Sequence, residues 1–484
     1  MGDLETAMPI IGASIGIAFV MSFFYIWLMK GCVGILVWCT IALIIAAGLI
    51  LGYVLNDSSK DEDLEDDEAK LREYLGYTVW ALTAIFGLII LFARDRIRIA
   101  IQVIKSAGRS IGDMPMMVFF PLLPLCSIIG FFFAWLYAAI YIFSAGTKTS
   151  NTTPDGFSTK TFAAESDKFV VGDTYEVIDY DDTIQNAFAP HFFLLLWCVQ
   201  FGVYFTFTVI AGAVANWYFT PRGENGKKLR GNGENELSNR AVFSSCARTT
   251  RYHIGTILYA SLIIAIIQFI RWCVRYLERT MNANGKEPNK LQKVLFRVVD
   301  CLLWCLECCL DKISRNALIW VAVYGDAFCP AVCSSFKLIW SNLMRVAVIT
   351  FFSSIVTNLG KIMIPLMTMG VCGFILVEMD PYKTELQSPL LPLIVIGIIS
   401  FAVAMLFLTV YDTAIDTVFV CFLIDEKQNK DSGKPMLADE GLRNIVQKYE
   451  AESKKLAASM QTATKTTVVT THQPQEKADD AVAI

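Results

Sequence analysis

The chain has 484 residues, 55% of them hydrophobic and only 18% charged, with a formal net charge of −4. Soluble globular domains carry about 25% charged residues, so the composition excludes an ordinary soluble protein. The near-balanced charge offers no basic footprint for nucleic acid, and none is expected as a partner.

Several apolar runs exceed the ~20 residues that cross a ~30 Å hydrocarbon core as helix. Spanning segments must satisfy their backbone groups internally, so the expected fold is all-α and polytopic. The opening "MGDLETAMPIIGASIG" is acidic and lacks a basic n-region, so Met8–Met29 reads as a span and not as a cleaved leader. "MGDLET" also fits the loose myristoylation pattern, although the sidedness below argues against it. After a turn at Lys30, Cys32–Leu55 reads as the next span. Tyr77–Phe92, Met117–Phe143, Phe192–Trp217, Val346–Val377 and Leu391–Ile424 follow, with less distinct runs at Ile254–Ile270 and Ala317–Ala331. Together they give about nine transmembrane helices. Residues 1–424 form the membrane domain. Residues 425–484 form a tail, helical over "EGLRNIVQKYEAESKKLAASM" and disordered beyond.

Loop charge alternates. Asn56–Lys70 holds eight acids and two lysines, whereas residues 93–109 hold five basic groups and one acid. Ala145–Pro190 is acidic again, with eight acids and three lysines, and Pro221–Arg251 has seven basic residues against three acids. Lys and Arg collect on the cytoplasmic side, so the acidic loops and the N-terminus are expected outside and the C-terminal tail inside. The sequons at Asn56 and Asn151 both fall in loops read as external, Asn151 being the better placed acceptor. Arg271–Arg297 strains the rule, because its seven basic residues would lie outside if Ile254–Ile270 crosses.

The GxxxG pairs Gly12/Gly16 and Gly48/Gly52 allow close helix approach. Pro121 and Pro124 each remove a backbone donor, giving either a simple kink or a broken helix beside a substrate path. The aromatics Trp135, Tyr137 and Trp197 lie within spans; they serve as interface anchors or as ring faces for a quaternary ammonium. His191, at the outer mouth of a span, is either a pH-sensitive gate or an interfacial residue. With three histidines in all and no nucleophile, phosphate-loop or metalloprotease pattern, an enzyme is not expected; nor is a cofactor. Cys301, Cys305, Cys308 and Cys309 in "CLLWCLECC" lack the second pair or the histidines of a zinc site, so no metal is expected there. Palmitoylation or interfacial packing suits them better.

"YDTAIDTVFVCFLIDE" places Asp412 and Asp416 at i and i+4 on one face of the last span. Counted from Leu391, they lie roughly 31 and 37 Å along the helix, near the inner boundary. They are either acids at the end of an overlong helix or carboxylates of an inner vestibule that attract a cation.

"AGAVANWYFT", "RYHIGTILYASLIIAIIQFIR", "CLLWCLECCLDKISRNALIWVAVYGDAFC", "VYDTAIDTVFVCFLIDE" and "KPML" occur in that order. Together they resemble the choline transporter-like solute carrier family, from about residue 20 to 445. The resemblance implies a carrier for choline, or for a related small organic cation such as ethanolamine, set among membrane lipid at the plasma membrane or an organelle. It also implies ten spans with both termini cytoplasmic. The family has a first span and a large external loop before the point where this chain begins. By similarity, Trp135, Tyr137, His191, Trp197 and Gln200 fall where related sequences carry matching or similar residues. Tyr411, Asp412 and Asp416 join them as substrate-site candidates. The expected mechanism is alternating access. The competing reading is a palmitoylated membrane scaffold, and an enzyme of lipid headgroup metabolism ranks behind both.

Overall fold

The computed structural model describes residues 2–59, 66–152, 174–179, 182–221, 228, 240–283, 290–380, 382–386, 388–433, 435–448 and 451. In chain order the elements are α1 (Gly2–Thr6), α2 (Met8–Ser58), α3 (Asp66–Asp113), α4 (Met116–Phe119) and α5 (Leu122–Ser144). A hairpin of β1 (Thr147–Thr152) and β2 (Thr174–Asp179) pairs antiparallel, with Asn151 opposite Tyr175. Then come α6 (Asp182–Phe219), α7 (Arg240–Arg248), a π turn at Thr249–His253, α8 (Ile254–Ala283) and α9 (Lys290–Tyr324). The chain closes with α10 (Phe328–Trp340), α11 (Leu343–Glu378), α12 (Tyr382–Glu385) and α13 (Leu390–Ser432). This is an all-α, polytopic membrane protein.

Seven helices among the described residues are long and apolar enough to cross a membrane, against about nine apolar runs in the sequence. The difference arises in two places. The spans read as Met8–Met29 and Cys32–Leu55 are one helix of 51 residues, with no turn at Lys30. Gly31 and Gly34 are the weakest helix formers near that point. A glycine inside a helix costs about 1 kcal/mol, too little to reverse the chain without a proline or a cap. The run read as Ala317–Ala331 is two helices: α9 stops at Tyr324, Gly325 takes φ 79°, and α10 starts at Phe328. That left-handed conformation suits a residue without Cβ and ends the helix.

The chain forms two compact units. The first comprises Met1–Ser110, Tyr218–Pro221 and Asn342–Ile484. In it α11 packs on α13 and both pack on α2. Tyr25 of α2 donates its hydroxyl to the Val356 carbonyl of α11 at 2.6 Å, and Gly360 leaves room for the Tyr25 ring and Leu408. α2 and α3 run side by side: Gly48 faces Thr83, Gly52 faces Trp80, and Trp80 Nε1 donates to the Leu49 carbonyl at 3.2 Å. Of the two GxxxG pairs, Gly48/Gly52 makes a close approach, whereas Gly12 and Gly16 have nothing within 4 Å of where a Cβ would stand.

The second unit comprises Ile111–Trp217 and Arg222–Ser341. Its first helices are set by prolines. Pro115 caps α4 and Pro121 caps α5, so the run read as Met117–Phe143 is interrupted at Phe120–Pro121. α8 and α9 pair through charge. Arg271 donates to Asp300 and Glu307, each at 2.9 Å, and Arg275 holds both oxygens of Asp300 at 3.0 Å. Two of the basic groups that strained the loop-charge rule are thus matched by acids of the following helix.

Candidate functional site

In the second unit, α5 and α6 bring Trp135 and His191 face to face. Their ring centroids are 4.8 Å apart and their planes differ by 8°. Trp135 Nε1 donates to the His191 carbonyl at 2.8 Å, and His191 Nε2 lies 3.2 Å from the Trp135 carbonyl. Phe132 continues the stack on α5 at 5.9 Å. Pro190 sits inside α6 immediately before His191. It leaves the preceding turn short of one backbone donor, which loosens the helix beside the pair. The pair is thus held by one hydrogen bond in each direction and by the ring stack.

Further along α6, Trp197 donates from Nε1 to the Leu258 carbonyl and to Ser261 Oγ of α8, both at 3.2 Å. Its neighbour Phe193 meets Phe269 at 5.5 Å, and Phe269 stacks on Trp272 at 6.0 Å. Gln200, half-buried, follows on the same helix. Tyr137, two residues beyond Trp135 on α5, is 62% exposed, with its hydroxyl 2.9 Å from that of Tyr141. Of the aromatic candidates, the structure joins Trp135 to His191. Trp197 and Tyr137 each have other partners.

The α13 candidates belong to the first unit. Tyr411 is fully buried and donates to the Ile104 carbonyl of α3 at 3.1 Å. Asp412 and Asp416 are half-buried on the next turns. α13 continues beyond them to Ser432, where Gly433 with φ 65° turns the chain back. Asp425, 4% exposed, then anchors the returning segment. Its Oδ2 accepts from Tyr218 at 3.1 Å and from the Leu437 and Ala438 amides at 2.9 and 3.0 Å. Asp439, also 4% exposed, accepts from Ser106 and Arg109 of α3. Residues 435–439 and the helix at residues 440–448 thereby pack within the first unit, burying Met436, Leu442 and Val446.

Cys301, Cys305, Cys308 and Cys309 are all exposed on α9. Among the described residues no three His, Cys, Asp or Glu groups are placed to hold a metal ion. Asn56 lies in the last turn of α2 and Asn151 in β1.

Three groups were not singled out from the sequence. Asp311 of α9 binds the Tyr204 hydroxyl at 2.9 Å and Arg315 at 2.8 Å; nothing local in the sequence signals a pair 107 residues apart. Asp425 was quoted only as part of a motif. Lys361, near the middle of α11, was legible as the one charged residue between Arg345 and Glu378.

A family model described as plasma-membrane choline transporter matches residues 77–427. Choline transporter-like protein 2 of Dictyostelium discoideum is 34% identical over 365 residues, covering 75% of this chain and 52% of that protein. Choline transporter-like protein 1 of Caenorhabditis elegans is 30% identical over 453 residues, or 88% of this chain and 57% of the relative. Choline transporter-like protein 4 of Xenopus laevis is 27% identical over 491 residues, covering 92% and 67%. The chain spans about half the length of the first two relatives.

Proposed function

The chain belongs to the plasma-membrane choline transporter family, and from that premise we propose that it is a membrane carrier for choline, with ethanolamine as a second substrate. The family match over residues 77–427 carries this reading. The stacked Trp135–His191 pair supports it, because a quaternary ammonium offers no hydrogen-bond donor on nitrogen and is held best by aromatic faces. Trp197, Gln200 and Tyr137 are the further substrate-site candidates of the second unit, and Asp412, Asp416 and the buried Tyr411 those of the first. His191 is the proposed gate. Movement is by alternating access.

The carrier works in the plasma membrane with its tail in the cytoplasm. The loop-charge asymmetry supports that orientation, with the Asn151 hairpin outside and open to glycosylation. A palmitoylated scaffold using the α9 cysteines is the weaker reading, since the named relatives are transporter-like proteins.

Labelled choline uptake in cells lacking their own choline carriers, with surface expression confirmed, tests the proposal. Saturable uptake competed by unlabelled choline is expected. Expression at the surface without uptake above background would overturn it.

A further inference from the structure

Residues 435–448 leave α13 after the left-handed turn at Gly433 and lie back within the first unit. Two buried carboxylates fasten them, one on each side of the seam. Asp425 of α13 takes the Leu437 and Ala438 amides on the same oxygen that accepts from the Tyr218 hydroxyl. Asp439, within the segment, reaches the other way and accepts from Ser106 and Arg109 of α3. The helix at residues 440–448 runs so close to α3 that a Cβ at Gly441 would stand 2.6 Å from the Gln102 amide oxygen. The segment thus joins α13 to the stretch of α3 whose Ile104 carbonyl already holds Tyr411.

This fastening is conditional. A helix confined to residues 440–448 is shorter than the ~12–15 residues that an isolated helix needs in water, so it is helical because it is docked. Its ladder begins with the Arg443 amide donating to the carbonyl of Asp439, the residue whose side chain makes the tie to α3. Docking and helix formation therefore stand or fall together, which gives the segment two states, docked and released. The Arg109 side chain is 47% exposed, so water has access to that tie and replaces it on release.

We propose that residues 435–448 are a latch on the inner ends of α3 and α13. Docked, they hold the two helices together; released, they let them part. α13 carries the site candidates Tyr411, Asp412 and Asp416 shortly before Asp425. In a carrier the latch is therefore a brake on the inward-opening step. That consequence rests on the carrier reading, whereas the latch itself does not.

Two native thiols test it. Cys421 is fully buried one turn before Asp425 and lies near the Tyr218 hydroxyl. Cys372 is fully buried in a cluster with Ala7, Ile11, Leu376 and Ile396. Ile396 lies roughly 43 Å along α13 from Asp425, so that thiol reports on the unit away from the latch. The purified full chain in neutral detergent is treated with N-ethylmaleimide, and alkylation of each thiol is timed by mass spectrometry. Asp439→Ala is expected to speed alkylation of Cys421 about tenfold, as local release does, and to leave Cys372 at its wild-type rate. Arg109→Gln cuts the same tie from the exposed side and serves if Asp439→Ala does not fold. In cells, Asp439→Ala should raise maximal choline uptake about twofold at equal surface expression, because opening steps set many turnover rates. Cys421 rates equal to the wild type in both variants overturn the latch. So does equal acceleration at Cys372, which would mean general loosening. Faster Cys421 alkylation with unchanged or lower uptake overturns the brake. Alkylation needs no choline, so a wild type without uptake would count against the carrier reading alone.

Discussion

Trp135 and His191 are bound twice over: their rings stack at 4.8 Å, and each side chain reaches the other residue's backbone carbonyl. Stacking of this kind contributes about 0.5–1.5 kcal/mol, and a hydrogen bond a similar amount. Trp135→Ala removes both and is expected to lower choline uptake about tenfold at equal surface expression. Trp135→Phe keeps a ring face but no indole N–H, and should fall between the two. Uptake in Trp135→Ala equal to wild type would remove the pair from the transport path.

The second prediction concerns pH. The hydrogen bonds from Arg275, with those from Arg271, hold the Asp300 carboxyl below the usual carboxylate range. Asp300 lies on α9, outside the seven candidate spans. An unfolded aspartate titrates near ~3.9. Because the folded value is lower, the stabilisation is complete above the unfolded value and is lost as pH falls through the folded one. Asp300→Asn should therefore cost up to about 1 kcal/mol near neutrality, the scale of a partly exposed ion pair. The gap between variant and wild type should close below about pH 4. Unfolding midpoints measured across pH 3–7 check this, and a gap that persists at the acid end would count against it.

Third, Asp425 holds the returning tail segment. Asp425→Ala leaves the Tyr218 hydroxyl and the Leu437 and Ala438 amides without their shared acceptor. Each buried group so orphaned costs about 1–3 kcal/mol. Residues 435–448 should detach before the helices do, and trypsin should cut after Arg443 at least ten times faster than in the wild type. Asp425→Asn keeps one acceptor oxygen and should be cut at an intermediate rate. Equal cleavage in all three proteins would mean that the segment is held by other contacts.

Fourth, the two GxxxG pairs should behave differently. A Cβ at Gly52 would run into the Trp80 ring, whereas one at Gly12 meets nothing within 4 Å. Overpacking of a fitted contact typically costs about 1–3 kcal/mol. Gly52→Ala should lower the unfolding midpoint and Gly12→Ala should not; the same comparison by thermal shift decides it.

The apolar runs, the all-α class and the family were legible in the sequence because each depends on local composition or on motifs in order. At Pro121 the sequence left a kink and a broken helix both open, and the structure interrupts the helix there. The absence of a turn at Lys30 was not readable, since a lysine and a glycine permit a turn without requiring one. Nor was the break at Gly325, because its left-handed φ depends on where α10 must begin. At the site, Trp135 and His191 were recognisable as unusual residues, but their stacking depends on how α5 meets α6. The Tyr204–Asp311 and Asp425–Leu437 bonds are likewise products of packing.

Five of the ties between helices share one form. Tyr25, Tyr411, Trp80, Trp135 and Trp197 each donate to a main-chain carbonyl, at Val356, Ile104, Leu49, His191 and Leu258. Every amino acid presents that carbonyl, so these bonds are encoded on one side only. Over evolutionary time the donor positions are under constraint while side chains at Val356, Ile104 and Leu258 are free to drift within their size limits. Paired substitutions, the usual statistical trace of two residues in contact, are not expected at the Tyr25–Val356 and Tyr411–Ile104 joints.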